Sequence, residues 1–297
     1  MGGGGDVVGA LAAAHAARAH GAETLVGGVT WERLPVDPVP GPRRLGEIEG
    51  ARQLNETVAL AGPETRGPGG VRFAESRMAQ LLGEPVVLVD PNPGPAAVGS
   101  GLAEAVRHLA CDLVLLVDVG GDVLAHGHEP GLASPLCDAI LLAAAPHLER
   151  AGLRVTGAVF GPCCDGELTE RELLSRVAEV AAAGGLLGAW GLTPEALPTL
   201  EAAARAIPTE ASAQALACAR GALGAETIRG GHRSVSRSPL GALTFFFDPR
   251  IAIATAAHAA RAVLDADDLE DADERLCALG ITSELRLERE LAGARGD

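Results

Sequence analysis

Apolar positions fall into two patterns along this chain: short solid runs, and spacings of three to four residues. The solid runs are Thr24 to Val29, Pro85 to Val89, Leu113 to Val117, Leu153 to Phe160 and Leu243 to Phe247. Rich in Val, Leu or Phe and bounded by Gly, Pro or Asp, they suit buried strands. Asn55 to Ala61 suits a shorter one. Between them the helical period predicts helices over Val7–His20, Phe73–Leu82, Ala96–Ala110, Pro135–Ala151, Thr169–Ala183, Thr193–Ala206, Pro208–Gly221 and from Pro249 to Leu264. Thr169 with Glu172 has the form of a capping box. Ser134 before Pro135 has the form of a cap followed by a first-turn proline. Strands alternating with helices predict an α/β fold with one doubly wound, mostly parallel, Rossmann-like sheet. Residues 1–297 read as a single such domain, because no repeat and no clean boundary interrupts the pattern. Gly184 to Gly191 is the one segment suited to hinge a C-terminal subdomain or lid, from about residue 184. The acidic stretch Asp265–Glu274 reads as a linker and helix start, and the charged tail from Leu285 as peripheral.

Polar chemistry concentrates where the strands end. Three runs stop at Asp90, at Asp118 and at the turn Cys163-Cys164-Asp165. In a parallel sheet these acidic ends share the edge at which ligands sit. The richest stretch runs from Asp112 to Asp138. There the strand meets Asp118, the bend Gly120-Gly121 and Asp122, then His126, His128, Glu129, Ser134 and Asp138. The glycines allow a positive φ and close backbone approach. Asp118, Asp122, Glu129 and Asp138 are the candidate catalytic acids, and Asp118 and Asp122 the candidate ligands of a metal. Helix capping accounts for Asp90 and Asp118 equally well, but poorly for Asp122 and Glu129.

Gly2-Gly3-Gly4-Gly5-Asp6 opens the first helix with free N–H groups at its positive end, an arrangement suited to an anion. Gly3, Gly4, Gly5 and Asp6, with Gly120 and Gly121, are therefore the candidate cofactor- or phosphate-binding set. A buried strand ordinarily precedes such a loop, so a first strand, lost or lying upstream of Met1, is expected. Candidate substrate contacts are Glu32 beside Trp31, Arg77, Ser134, Glu210, and Arg229 and Arg233 around a second glycine turn. The bland alternative for Arg229–Arg233 is a hairpin bend with solvated arginines.

Composition narrows the chemistry. The formal charge of −15 argues against nucleic acid and anionic membranes as partners and leaves a small anionic molecule. The chain has no lysine and no tyrosine. A pyridoxal Schiff base, a Walker A lysine and a Tyr–Lys dehydrogenase pair are excluded. All fixed side-chain cations are arginines, suited to bidentate anion contacts. No apolar run approaches the ~18 residues of a membrane span and no signal peptide is visible, so the expected location is cytoplasmic, with reduced cysteines. Asp118 and Asp122 suit either acid–base work or a hard cation such as Mg²⁺; the cofactor is otherwise open, with a nucleotide as the other candidate. His126-Gly127-His128 alone is short of a zinc site, and Cys163-Cys164 reads more readily as packing than as a nucleophile. The sequence thus favours a lyase- or hydrolase-like enzyme for an anionic metabolite. A non-catalytic nucleotide- or metabolite-binding regulator is the alternative, and an NAD-dependent oxidoreductase the third. A homo-oligomer is compatible with all three.

Five stretches together resemble one bacterial and archaeal family: GGGGDVVGA, TWER with PVDPVPGPR, ESRMAQLLGEPVVLVDP, LVDVGGDVLAHGHEPGLASPLCDA, and PTEAS with RGGHRSV. It is the domain-of-unknown-function family number eleven fifty-two, common in actinobacteria. The resemblance spans nearly the whole chain and implies a Rossmann-like unit without implying a reaction. Family members begin with an apolar strand before the glycine loop, a feature this sequence lacks. The Asp118–Asp122 loop is also similar, over a few residues, to one in the D-glutamate cyclase family.

Overall fold

The computed structural model describes residues 1–296. In chain order the first half comprises α1 (Asp6–Ala19), β1 (Gly27–Val29), β2 (Arg52–Gln53), β3 (Val58–Ala61), α2 (Ala74–Leu82), β4 (Val86–Val89), α3 (Gly94–His108), β5 (Leu113–Val119), α4 (Pro135–Ala143) and α5 (Ala145–Arg150). The second half comprises β6 (Arg154–Phe160), α6 (Glu170–Ala182), β7 (Leu186–Gly191), α7 (Leu197–Ala206), α8 (Glu210–Ala219), β8 (Gly224–Ile228), β9 (Arg233–Arg237), β10 (Leu243–Phe247), α9 (Pro249–Thr255), α10 (His258–Ala262), α11 (Leu269–Ala278) and α12 (Glu284–Gly296).

The class is mixed α/β. In place of one sheet there are two of four strands, ordered β1-β4-β3-β2 and β5-β6-β10-β7, plus the hairpin β8-β9. In each four-stranded sheet three strands run one way and the fourth runs against them. The β1–β4 and β5–β6 pairs are parallel, whereas β3 and β10 are antiparallel to their neighbours. The expected uniform alternation fails at β10. Its run of Phe residues slots between β6 and β7, pairing Phe246 with Ala158 and Gly188. Gly157 leaves room for the Phe247 ring, which any Cβ there would overlap.

Met1 to Gly5 lies between the unpaired edges of the two sheets. The Met1 nitrogen donates to the Val117 carbonyl of β5, and the Gly4 N–H donates to the Trp31 carbonyl beyond β1 at 2.8 Å. Helix α1 then packs Val7, Val8 and Leu11 under β5 and β6, against Val117, Val119 and Phe160. A second, larger core gathers α3, α4, α9 and α10 on the other face around Ile140, Leu142 and Phe247.

Local signals explain most boundaries. The Thr169 hydroxyl accepts the Glu172 N–H, and the Glu172 carboxylate accepts the Thr169 N–H at 2.8 Å, forming the anticipated capping box. The expected helix from Pro135 to Ala151 is instead two, broken at Ala144, because Pro146 has no N–H for the carbonyl of Leu142. Gly184 to Gly191 supplies β7. The tail is not peripheral: Leu285 is 1% exposed, and α12 packs on α4.

Candidate active site

The carboxyl ends of β1, β5 and β6 open onto a pocket of about 820 Å³. Its floor is the Gly2–Gly5 loop and the start of α1. Three walls bring the remaining chemistry: the segments after β5 and β6, the start of α8 with the β8–β9 turn, and α12.

Glycine is required on the floor. At Gly3 φ is 89°, and an added Cβ would lie 2.6 Å from the Trp31 carbonyl. At Gly2 it would lie 2.6 Å from Asp138 Oδ2. Beyond β5, Gly120 and Gly121 have φ of 124° and 119°. A Cβ on Gly120 would overlap the Asp165 carboxyl, and one on Gly121 would sit 2.6 Å from Leu173. The double glycine thus lets two strand-end acids approach each other.

Those acids form two trios. Asp6, Asp118 and Asp138 can each place an oxygen within 4.8 Å of the other two, and so can Asp122, Asp165 and Glu167. All but Asp6 are buried. Burial pushes the Asp118 carboxyl up to about 7, with Asp6 adding repulsion. Asp122, Asp138 and Asp165 are also raised, first by burial and then by their acidic neighbours. Burial would raise Glu167 too, but Arg233 and donors from Ser134 and Ala133 hold it below its ordinary value. Arg233 reaches Glu167 at 2.7 Å, and the Ser134 hydroxyl donates to the same carboxylate. Asp6 accepts the Gly2 N–H at 2.7 Å, and the Met1 nitrogen lies 3.5 Å away. Asp138 Oδ1 and Asp122 Oδ2 are buried with no hydrogen-bond partner among the described residues. An unsatisfied buried carboxylate oxygen is costly and calls for a ligand.

Of the residues singled out in the sequence, Gly3, Gly4, Gly5, Asp6, Glu32, Asp118, Asp122, Ser134, Asp138, Glu210, Arg229 and Arg233 all line the pocket. Gly120 and Gly121 shape it from behind. Three others lie elsewhere. Glu129 accepts N–H groups from His126 and Gly127 and pairs with Arg176 at 3.2 Å, which organises its own loop. Arg77 sits on α2, away from the lining, its Nε buried without a partner. Asp90, expected at the same mouth, accepts from Leu45 N and from Asn92, and so caps a loop beside β4. His126 bonds Glu179 at 2.7 Å and stacks on His258; its ring also lies 5.6 Å from that of His128, but neither histidine belongs to a metal-holding group among the described residues. Cys163 is buried, with its thiol pushed up by that burial, so it packs.

Asp165 was visible only as part of a turn, and Glu167, two residues further on, carried no signal of its own. Arg33, equally readable beside Glu32 as a solvated turn or a substrate contact, stacks over the Trp31 ring at 4.3 Å and reaches Glu284 at 3.2 Å. Glu284 and Glu288 carried no signal in a uniformly charged tail. Trp31, fully buried, donates its indole N–H to Glu288 at 3.0 Å.

One family model, described as "Protein of unknown function (DUF1152)", matches residues 1–292. Neither a curated protein nor a solved structure matches the chain. Among the described residues no helix is long and apolar enough to cross a membrane.

Proposed function

The chain belongs to the DUF1152 family, and on that premise we propose that it is a small-molecule enzyme, hydrolase- or lyase-like, that acts on an anionic metabolite with the help of a divalent cation. Asp6, Asp118 and Asp138 hold the cation, and the substrate lies in the pocket against the Gly2–Gly5 loop and the guanidiniums of Arg229 and Arg233. A Rossmann-like origin of the strands accords with a pocket at the carboxyl ends of β1, β5 and β6.

The observation that carries this reading is Asp138 Oδ1: buried, without a donor, and within a trio of carboxylates. An anion would be repelled by such a wall unless its charge were first answered. Protons can answer it, as the raised carboxyls indicate, and a cation that displaces them can hold an anionic oxygen as well. The donor atoms are all oxygens, which suits Mg²⁺ or Mn²⁺ over softer metals. Acids that face a cavity with shifted proton affinities favour catalysis over passive binding.

The test is a thermal-shift screen of divalent cations with sugar phosphates, nucleotides and small carboxylic acids. A ligand at a hundred times its Kd stabilises by about 2.7 kcal/mol. The expected result is a shift with Mg²⁺ or Mn²⁺ that grows with one anion class and is lost in Asp138→Asn. Anion binding with no dependence on cations would overturn the cation's role.

A further inference from the structure

The geometry points to a second divalent cation, held by Asp122, Asp165 and Glu167, so that the pocket carries a pair of ions and takes a phosphate-bearing substrate. This deepens the reading above and rests on it. The second trio is complete in its own right: three carboxylates on two elements can each turn one oxygen to within 4.8 Å of the others. Asp122, Asp165 and Glu167 are 3%, 4% and 2% exposed. Glu167 already has its counter-charge in Arg233. Asp122 and Asp165 have none among the described ion pairs, and Asp122 Oδ2 has no hydrogen-bond partner among the described residues. Arg233 attracts both acids only from its seat on Glu167, and a divalent cation would give the Asp122 oxygen the partner it lacks.

Asp118 and Asp122, which the sequence would place on a single ion, instead belong to different trios. Their carboxyls are neighbours, so ions in both trios would face the same space from adjacent positions. Paired ions roughly 3.5–4 Å apart are suited to gripping two oxygens of one phosphoryl group. Arg233, already at Glu167, and Arg229 on the same turn line the same pocket and would offer the remaining phosphate oxygens the forked geometry of guanidiniums. A carboxylate substrate would use one ion and leave the second trio idle; a phosphate uses both.

Mn²⁺ titration followed by electron paramagnetic resonance, with isothermal calorimetry for inorganic phosphate, tests this on the full chain. Wild type should take up two Mn²⁺ per chain and bind phosphate at least tenfold more tightly with Mn²⁺ than without. Asp165→Asn, whose amide oxygen can still accept the Glu167 N–H, should keep one Mn²⁺ and lose the tenfold gain. Glu129→Gln, a buried acid outside the pocket, should keep two ions. A single Mn²⁺ in wild type, or two in Asp165→Asn, overturns the second site and leaves the first standing. No bound Mn²⁺ overturns both. Two ions with no gain in phosphate affinity overturn the substrate class alone. Should Asp165→Asn melt far below wild type, the wild-type stoichiometry decides.

Discussion

At the scale of single residues, Glu32 shows how burial fixes a proton. It is 5% exposed at the pocket wall beside Glu75, which is buried with neither oxygen partnered. Burial raises Glu32 to about 7, against the Ala74 N–H and Arg77, which pull it down. Its ordinary value is 4.5. A carboxyl raised on folding favours the folded state fully below the unfolded value, and that advantage is lost as pH rises through the folded one. Stability should therefore fall between about pH 4.5 and 7. Glu32→Gln, which keeps an acceptor for Ala74, should be more stable than wild type at pH 8, by on the order of 2 kcal/mol, and nearly equal to it at pH 4.5. Urea melts at the two pH values check this; an unchanged difference would remove Glu32 from the account.

Among the elements, the strand–bend–acid units after β5 and β6 set the site. Gly120 is the position on which they meet, since any side chain there collides with Asp165 and must also tolerate a φ of 124°. Gly120→Ala should cost about 1–3 kcal/mol and move Asp165 out of its trio. Thr169→Ala should cost about 1 kcal/mol through the lost cap of α6 and leave ligand binding intact. Thermal melts and cation titration on both variants separate the two effects. Most elements were legible from the sequence because caps and apolar periods act within one turn or one strand. The acids of β5 and the glycine floor were legible for the same reason. Strand direction was not. The reversal of β10 depends on Gly157 and on partner strands roughly 50 to 90 residues away in sequence. Glu129 and Asp90 misled because a loop-organising carboxylate and a ligating one look alike until their N–H partners are seen.

Across the whole molecule, α12 joins the two sheets. Glu284 accepts the Leu136 and Cys137 N–H groups that open α4, both at 2.9 Å, and pairs with Arg33 beyond β1. Glu288 ties Trp31 and the Gly41 N–H at 3.0 Å each. Nothing local in the sequence could show this, since the partners lie some 150 to 250 residues away. Glu284→Ala would take from the half-buried Arg33 one of its two carboxylate partners and leave two N–H groups without an acceptor. It should lower stability by about 3–5 kcal/mol, read as a shifted denaturant midpoint, and should loosen the pocket wall. A change within 1 kcal/mol would show that α12 is held by its apolar face alone.

The placement of the two indoles gives the protein an optical handle. With no tyrosine in the chain, ultraviolet emission comes from Trp31 and Trp190 alone. Trp190 is 37% exposed and within reach of iodide, whereas Trp31 is sealed behind the pocket under Arg33. In iodide solution the residual fluorescence belongs to Trp31, so filling of the pocket can be followed by light, without labels or a known reaction.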